Sequence, residues 1–355
     1  MKTSKIKIDN DMIRYRGIPD DPLFLDIETT GLSPLSAFIY MISVVYFEGS
    51  EPFFENIMAE CASEEKELLD LTAALITGHR SLIHYNGDKF DLPFILKRCA
   101  AYGIAFDMSG HTSLDIYKYA KPLKDMLGLP GCRQKDVECF LGVDREDIYS
   151  GKELINVYKQ YSETRNEGLY KLLYQHNHDD VIGMLQILPV LAYRDLFEGS
   201  FDICDTRRNS YTGADGNETE EMLIELSLHA PVPKPLCVAK EGIYLIAKGD
   251  SATVKLPVYT GELKFFYDNP KEYYYLPMED MAVHKSVAQY VDKDHRVKAT
   301  PANCYTKKAG TFLPQLKQLY SPAFKTDFDS RLWYFEIDDT RITAEYIVSL
   351  LENLR

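Results

Sequence analysis

Residues 22–47, PLFLDIETTGLSPLSAFIYMISVVYF, set the strongest limit on what this chain can fold into. They read as two strands, PLFLDIE and FIYMISVVYF, rich in β-branched and aromatic side chains and parted by the turn TTGLSP. The first run closes on Asp26 and Glu28, with one isoleucine between them. Side chains alternate across a strand, so both carboxylates point to the same side. Like charges so placed repel unless they are protonated or bridged by a cation. Hard oxygen donors completed by water suit Mg²⁺ or Mn²⁺ rather than zinc. Read alone, the pair fits an exposed strand end with two solvated acids equally well.

Downstream, ENIMAECASEEKELLDLTAALITG has helical spacing at Leu68, Leu71, Ala74 and Leu75, with acids near its start and Gly78 past its end. SLIHYNG reads as a short strand, DLPFILKRCAAYG as the start of a helix, HTSLDIYKYAK as a strand or loop, and several helices follow to about residue 197. This order predicts an α/β fold in which helices cover the faces of a sheet. At 355 residues the chain is about right for two domains. The polar, aperiodic segment 198–222 reads as a linker between a domain at 1–197 and a smaller α+β domain at 223–355. In that second part GIYLIA, ATVKLPVY and LKFFY read as strands, with helices expected at about 279–291 and 343–354. DGNETEE, inside the linker, lacks the alternating acids and glycine position of a calcium loop.

No apolar run approaches the ~18 residues of a membrane span, and the N-terminus lacks the apolar core of a signal peptide. Seven scattered cysteines without a C-x-x-C pair point to reduced thiols in a cytoplasm. The net charge is −14, but it is unevenly spread. Of 40 Lys+Arg and 54 Asp+Glu, 16 of each lie from Leu236 onward, which leaves 24 basic against 38 acidic side chains before it.

Two further acids stand in informative places. Asp91 follows a strand and turn where a helix begins, which also suits a plain N-cap. In YQHNHDDVIGML, His176 and Asp180 are four apart, so a helix sets them on one face. His176 and His178 would lie on roughly opposite sides of that helix, which argues against a binuclear zinc site built on H-x-H-x-D.

DIETTG, NGDKFD and HNHDDV, in that order, resemble the three exonuclease motifs of the DEDD superfamily. More closely, HYNGDKFDLPFI, KDVECFLGVDRED, YSG and HNHDDVIGML resemble YprB-like, RNase H-like exonuclease domains over residues 20–195. The resemblance implies an RNase H-like mixed sheet flanked by helices and a 3′→5′ exonuclease acting on single-stranded DNA or RNA with two divalent cations, Mg²⁺ or Mn²⁺. Asp26, Glu28, Asp91 and Asp180 would then be the metal ligands and His176 the general base. Residues Thr29, Thr30, Gly31 and Leu32 would hold the terminal nucleotide through backbone N–H groups and an apolar wedge at Leu32, with Asn86 helping. One departure concerns the base: a histidine stands at the three-residue spacing usual for a tyrosine. The alternatives are a catalytically idle nucleic-acid-binding module, which a missing ligand would have signalled, and a metal-dependent endonuclease.

Residues 285–325 hold eight basic side chains and two acids, Asp292 and Asp294. Lys285, Arg296, Lys298, Lys307 and Lys308 are interleaved there with Tyr290, Tyr305, Phe312 and Tyr320, as a single-strand groove would need. Core rings beneath solvated lysines read as well.

Overall fold

Ahead of the two apolar runs the chain forms β1 (Lys2–Lys7); the runs themselves are β2 (Pro22–Thr29) and β3 (Ile39–Glu48), followed by β4 (Glu51–Met58), β5 (Ser81–His84) and β6 (Thr112–Asp115). This computed structural model describes residues 1–355 except Arg14, Asp147, Ile148, Ser150, Ala214, Asp215 and Asn217. It divides into two compact units, Met1–Arg194 and Asp195–Arg355.

In the first unit the strands form one mixed sheet in the order β1-β4-β3-β2-β5-β6. The pairs β1–β4, β4–β3 and β3–β2 are antiparallel, whereas β2, β5 and β6 run parallel. The helices are α1 (Glu65–Thr77), α2 (Asp91–Ala101), α3 (Ile116–Ala120), α4 (Lys124–Leu127), α5 (Gln134–Leu141), α6 (Gly151–Thr164), α7 (Glu167–Ile187) and α8 (Leu191–Phe197), the last running into the second unit. Leu23, Leu25 and Ile27 of β2 share a core with Leu68 and Ile76 of α1 and Leu92, Phe94 and Ile95 of α2. On the opposite face Tyr40 and Met41 of β3 and Met58 of β4 pack with Leu154, Tyr158 and Tyr161 of α6 and Leu173 of α7. Burial on both faces explains why β2 and β3 read as nearly continuous apolar runs.

Two local expectations fail for physical reasons. ENIMAE is not run-in to α1, because residues 51–58 form β4, with Phe54 and Ile57 buried. The buried stripe of α1 is Leu68, Leu69, Thr72, Ala73 and Ile76, and Leu71 is exposed. That buried face also takes in two polar residues, Glu65 and Thr72. Buried Glu65 is gripped by Arg98, and the Thr72 hydroxyl donates to the Leu68 carbonyl at 2.7 Å. Both therefore sit in the interior at little cost.

In the second unit segment 198–222 is not a linker. It contains β7 (Phe201–Thr212) and the start of β8 (Glu218–Lys240), paired from Phe201↔Leu228 to Thr212↔Glu218. β7 is exposed over most of its length, so no apolar alternation marks it. Asp215 and Asn217 of DGNETEE lie outside the described residues, as do Asp147 and Ser150 of the motifs quoted above. β9 (Ile243–Pro257) completes that sheet, and β10 (Tyr259–Phe266) belongs to the next. The expected helix at 279–291 shrinks to one turn, α9 (Lys285–Ala288), directly after the strand β12 (Met281–His284). β11 (Tyr273–Leu276) before it and β13 (Val297–Lys298) after it complete a small sheet ordered β12-β11-β13. β14 (Tyr305–Gln315) and β15 (Trp333–Glu336) follow in the order β10-β14-β15. The closing helix is α10 (Ala344–Leu351), whose Tyr346, Ile347, Leu350 and Leu351 are buried. Among the described residues no helix is long and apolar enough to cross a membrane.

Candidate active site

Alternation along β2 divides its side chains between two environments. Leu25 and Ile27 enter the α1/α2 core, and Asp26 and Glu28 take the other face, where α7 lies. The Asn177 side-chain amide donates to Asp26 Oδ2 at 2.6 Å. One residue earlier on α7, His176 Nε2 stands 3.2 Å from Glu28 Oε1 and 3.2 Å from Asp180 Oδ2. The four-residue spacing on an unbroken helix brings His176 and Asp180 together, as the sequence implied. His178 is directed elsewhere, edge-on to the ring of Phe54.

Asp91 reaches the site from the segment that follows β5, the strand paired with β2. It is the first residue of α2 rather than its N-cap, which is Phe90. The β2–β5 pairing stops at Phe24↔Ile83, and further along β2 the Ile27 N–H donates to Asp91 Oδ1 at 3.2 Å. Asp91 is only 6% exposed. Burial pushes its carboxyl up to about 7, against the pull of backbone hydrogen bonds and with added repulsion from Glu28 and Asp115. Asp26 is pushed well above the ordinary carboxylate range, first by burial and then by Asp180, Asp91 and Glu28. Glu28, His176 and Asp180 form a group whose ligand atoms lie within 4.8 Å of one another. Asp26 and Asp91 adjoin that group and repel it. Carboxylates set this close, two of them pushed upward by burial and by their neighbours, are what a hard divalent cation relieves, so these residues fit such a cation.

Several side chains that hold the acids are not prominent in the sequence. Tyr40, buried and stacked on Tyr158 at 4.0 Å between centroids, donates to Glu28 Oε2 at 3.4 Å. Arg145 Nη2 meets Asp180 Oδ1 at 2.5 Å, while its Nη1 lies 2.9 and 3.0 Å from the two carboxylate oxygens of buried Glu138. Gln134 Nε2 ties the Asp180 carbonyl and Glu138 Oε1 together. Gly183 of α7 permits this approach, because a Cβ there would meet Glu138 Oε1 at 2.2 Å. Asn177 lies inside HNHDDV and was available to sequence reasoning. Arg145 lies between helices at no telling spacing.

The stretch after Glu28 is more constrained than expected. The β2–β3 register shifts between Glu28 and Thr29, a bulge that ends the regular ladder. Thr29 is buried and its hydroxyl donates to the Gly31 carbonyl, while the Thr30 N–H is already committed to Phe38 O at 3.0 Å. Leu32 is 85% exposed, and nearby Leu35 is 90% exposed. Asn86 is a turn residue with φ +63°, its N–H donating to Asp115 Oδ1 at 2.7 Å. That turn is built on buried His84, whose Nδ1 accepts from the Gly87 N–H at 3.2 Å. A Cβ on Gly87 would stand 2.6 Å from His84 Cγ. Gly87→Ala must therefore move a ring held in the core, and a loss of about 1–3 kcal/mol is expected in denaturant unfolding. An unchanged midpoint would show that the turn yields freely.

The basic stretch separates into two kinds of residue. Lys307 is paired with Asp280 and Glu262, Lys308 with Glu336 and Lys317 with Glu352. Tyr305 and Phe312 are buried, so neither ring can stack on a base. The Arg296 guanidinium donates to the Ala288 carbonyl and lies 4.9 Å from the Tyr274 ring centroid. Lys285 and Lys298 are exposed.

No curated protein matches the chain by sequence. Among solved structures it is similar to the family B DNA polymerase from the hyperthermophilic archaeon Pyrobaculum calidifontis, with 17% identity over 51% of this chain and 25% of that one, TM-score 0.40. It is also similar to E. coli Exonuclease I in complex with a dT13 oligonucleotide, with 12% identity over 59% of this chain and 55% of that one, TM-score 0.29. The chain thus spans about a quarter and about half of those two proteins. Residues 23–192 match the RNase_H_2 family, described as RNase_H superfamily. That segment, a mixed sheet flanked by helices, carries an RNase H-like fold.

Proposed function

We propose that the first unit is a DEDD-type 3′→5′ exonuclease that hydrolyses single-stranded nucleic acid to nucleoside monophosphates. The observation that carries the reading is that Asp180, Asp91 and Glu28 all press on buried Asp26, while His176 stands 3.2 Å from both Glu28 and Asp180, with no carboxylate of the set missing. The RNase H-like match over residues 23–192 and the order of the three motifs support it. The four carboxylates would hold two divalent cations, which when bound polarise the scissile phosphate and lower the pKa of water. His176 takes the proton of the attacking water, and the Glu28 and Asp180 carboxylates, 3.2 Å from its Nε2, stabilise the imidazolium that results. Asn177 and Arg145 hold Asp26 and Asp180 in place, and Leu32 packs against the terminal nucleotide. Seven unpaired cysteines suit a reducing cytoplasm.

The test is digestion of 5′- and 3′-labelled single-stranded DNA and RNA and of circular single-stranded DNA, each with Mn²⁺ or Mg²⁺. The expected result is stepwise shortening from the 3′ end with circles left intact. Cut circles would replace the exonuclease reading with an endonuclease. Products no more abundant than in a chelated control would leave only a binding module.

A further inference from the structure

Deepening the nuclease reading, on which it rests, we infer that residues 285–298 of the second unit form a contact surface for single-stranded nucleic acid, with Tyr290 as the base-stacking ring and Lys285, Lys293 and Lys298 as the phosphate contacts. These residues belong to an excursion between β10 and β14, which are neighbours in one antiparallel sheet. The excursion carries its own small sheet, β12-β11-β13. The turn that follows α9 and the segment leading into β13 are tied together, because the Arg296 guanidinium donates to the Ala288 carbonyl. The Tyr290 N–H bonds the Val287 carbonyl in that same turn.

Two contrasts select this surface over the rest of the basic stretch. The first is charge. Lys307, Lys308 and Lys317 each have a carboxylate partner, and their attraction for a phosphate is offset by it. Lys285, Lys293 and Lys298 are exposed and have no carboxylate partner among the described residues. The second is the rings. Tyr305 and Phe312 are buried in the sheet, whereas Tyr290 is 86% exposed and has no ring neighbour among the described residues. Val287, 57% exposed and hydrogen-bonded through its carbonyl to the Tyr290 N–H, adds apolar area. An exposed ring amid uncompensated ammonium groups matches the alternation of base and phosphate in a single strand. The acids Asp292 and Asp294 stand in the same segment, so the surface is only moderately basic and the ring has to supply much of the affinity.

The test is binding of a fluorescent single-stranded 20-mer to the full chain in EDTA, which removes hydrolysis from the measurement. Tyr290→Ala is expected to weaken binding by roughly 5- to 150-fold, the range of one base–aromatic stack. The triple variant Lys285→Ala, Lys293→Ala, Lys298→Ala is expected to reduce the slope of log affinity against log salt by about 2, from ~0.7 per phosphate contact. Lys308→Ala, already ion-paired, is expected to change neither quantity. Affinity and salt slope unchanged in both test variants would overturn the surface and leave the nuclease reading standing. Loss of binding in all variants including Lys308→Ala would overturn it too, since the selectivity between paired and unpaired lysines would be gone. A nuclease failure would appear separately, as absence of metal-dependent products from a protein that still binds.

Discussion

Asp26→Asn is expected to slow hydrolysis of a single-stranded oligonucleotide by at least ~10³-fold, about 4 kcal/mol of barrier, while leaving the metal-free protein as stable as before or more stable. The side chains are nearly isosteric, and an amide oxygen can still accept the hydrogen bond that Asn177 gives to Oδ2. What disappears is a negative charge that burial, Asp180, Asp91 and Glu28 all oppose. The substitution thus removes an unfavourable term from the folded state and a cation ligand from the site in one change. Activity by product gel and unfolding in EDTA report the two halves independently. Hydrolysis within tenfold of wild type would sink the carboxylate assignment. A large loss of stability would mean that Asp26 is structural, and its effect on activity could not then be ascribed to chemistry.

Without divalent metal, the stability of the first unit is expected to fall between about pH 4 and pH 7 through Asp91. The folded carboxyl sits at about 7 against an ordinary 3.8, so the folded state binds a proton that the unfolded chain has already released. Its contribution is fully present below the unfolded value and is lost as pH rises through the folded one. That rise corresponds to roughly 4 kcal/mol. Buried His84, lowered by desolvation, acts in part of the same window with the opposite sign. The clean measurement is therefore wild type minus Asp91→Asn, by unfolding at pH 5 and pH 8 in EDTA. The difference should favour the variant more at pH 8, and Mn²⁺ at pH 8 should restore wild type selectively. A difference independent of pH would show that Asp91 is not strained by burial.

The parts of this molecule legible in the sequence are those fixed by local periodicity. Alternation put Asp26 and Glu28 on one face, and the helical repeat put His176 beside Asp180, because each pair is set by a backbone geometry spanning a few residues. Arg145 escaped for the opposite reason. Its partners Glu138 and Asp180 lie on two different helices, and only their packing at Gly183 creates the place it fills. β7 reads as linker in the sequence because an exposed strand carries no apolar alternation, and its ladder with β8 is a pairing between separate segments. Residues 279–291 misled for a related reason. Strand, turn and one helical turn there are each too short to impose a period.

The register Phe266↔Tyr305 has a consequence for how such a chain can change over generations. The excursion between them starts and finishes at two residues held a single strand spacing apart. Lengthening a connection of this kind adds only about 0.6 kcal/mol of closure entropy per doubling. The tip can be lengthened, shortened or rewritten while the parent ladder keeps its register. Specificity carried there would drift independently of chemistry carried on β2 and α7, so two chains could share one set of carboxylates and choose different strands to cut.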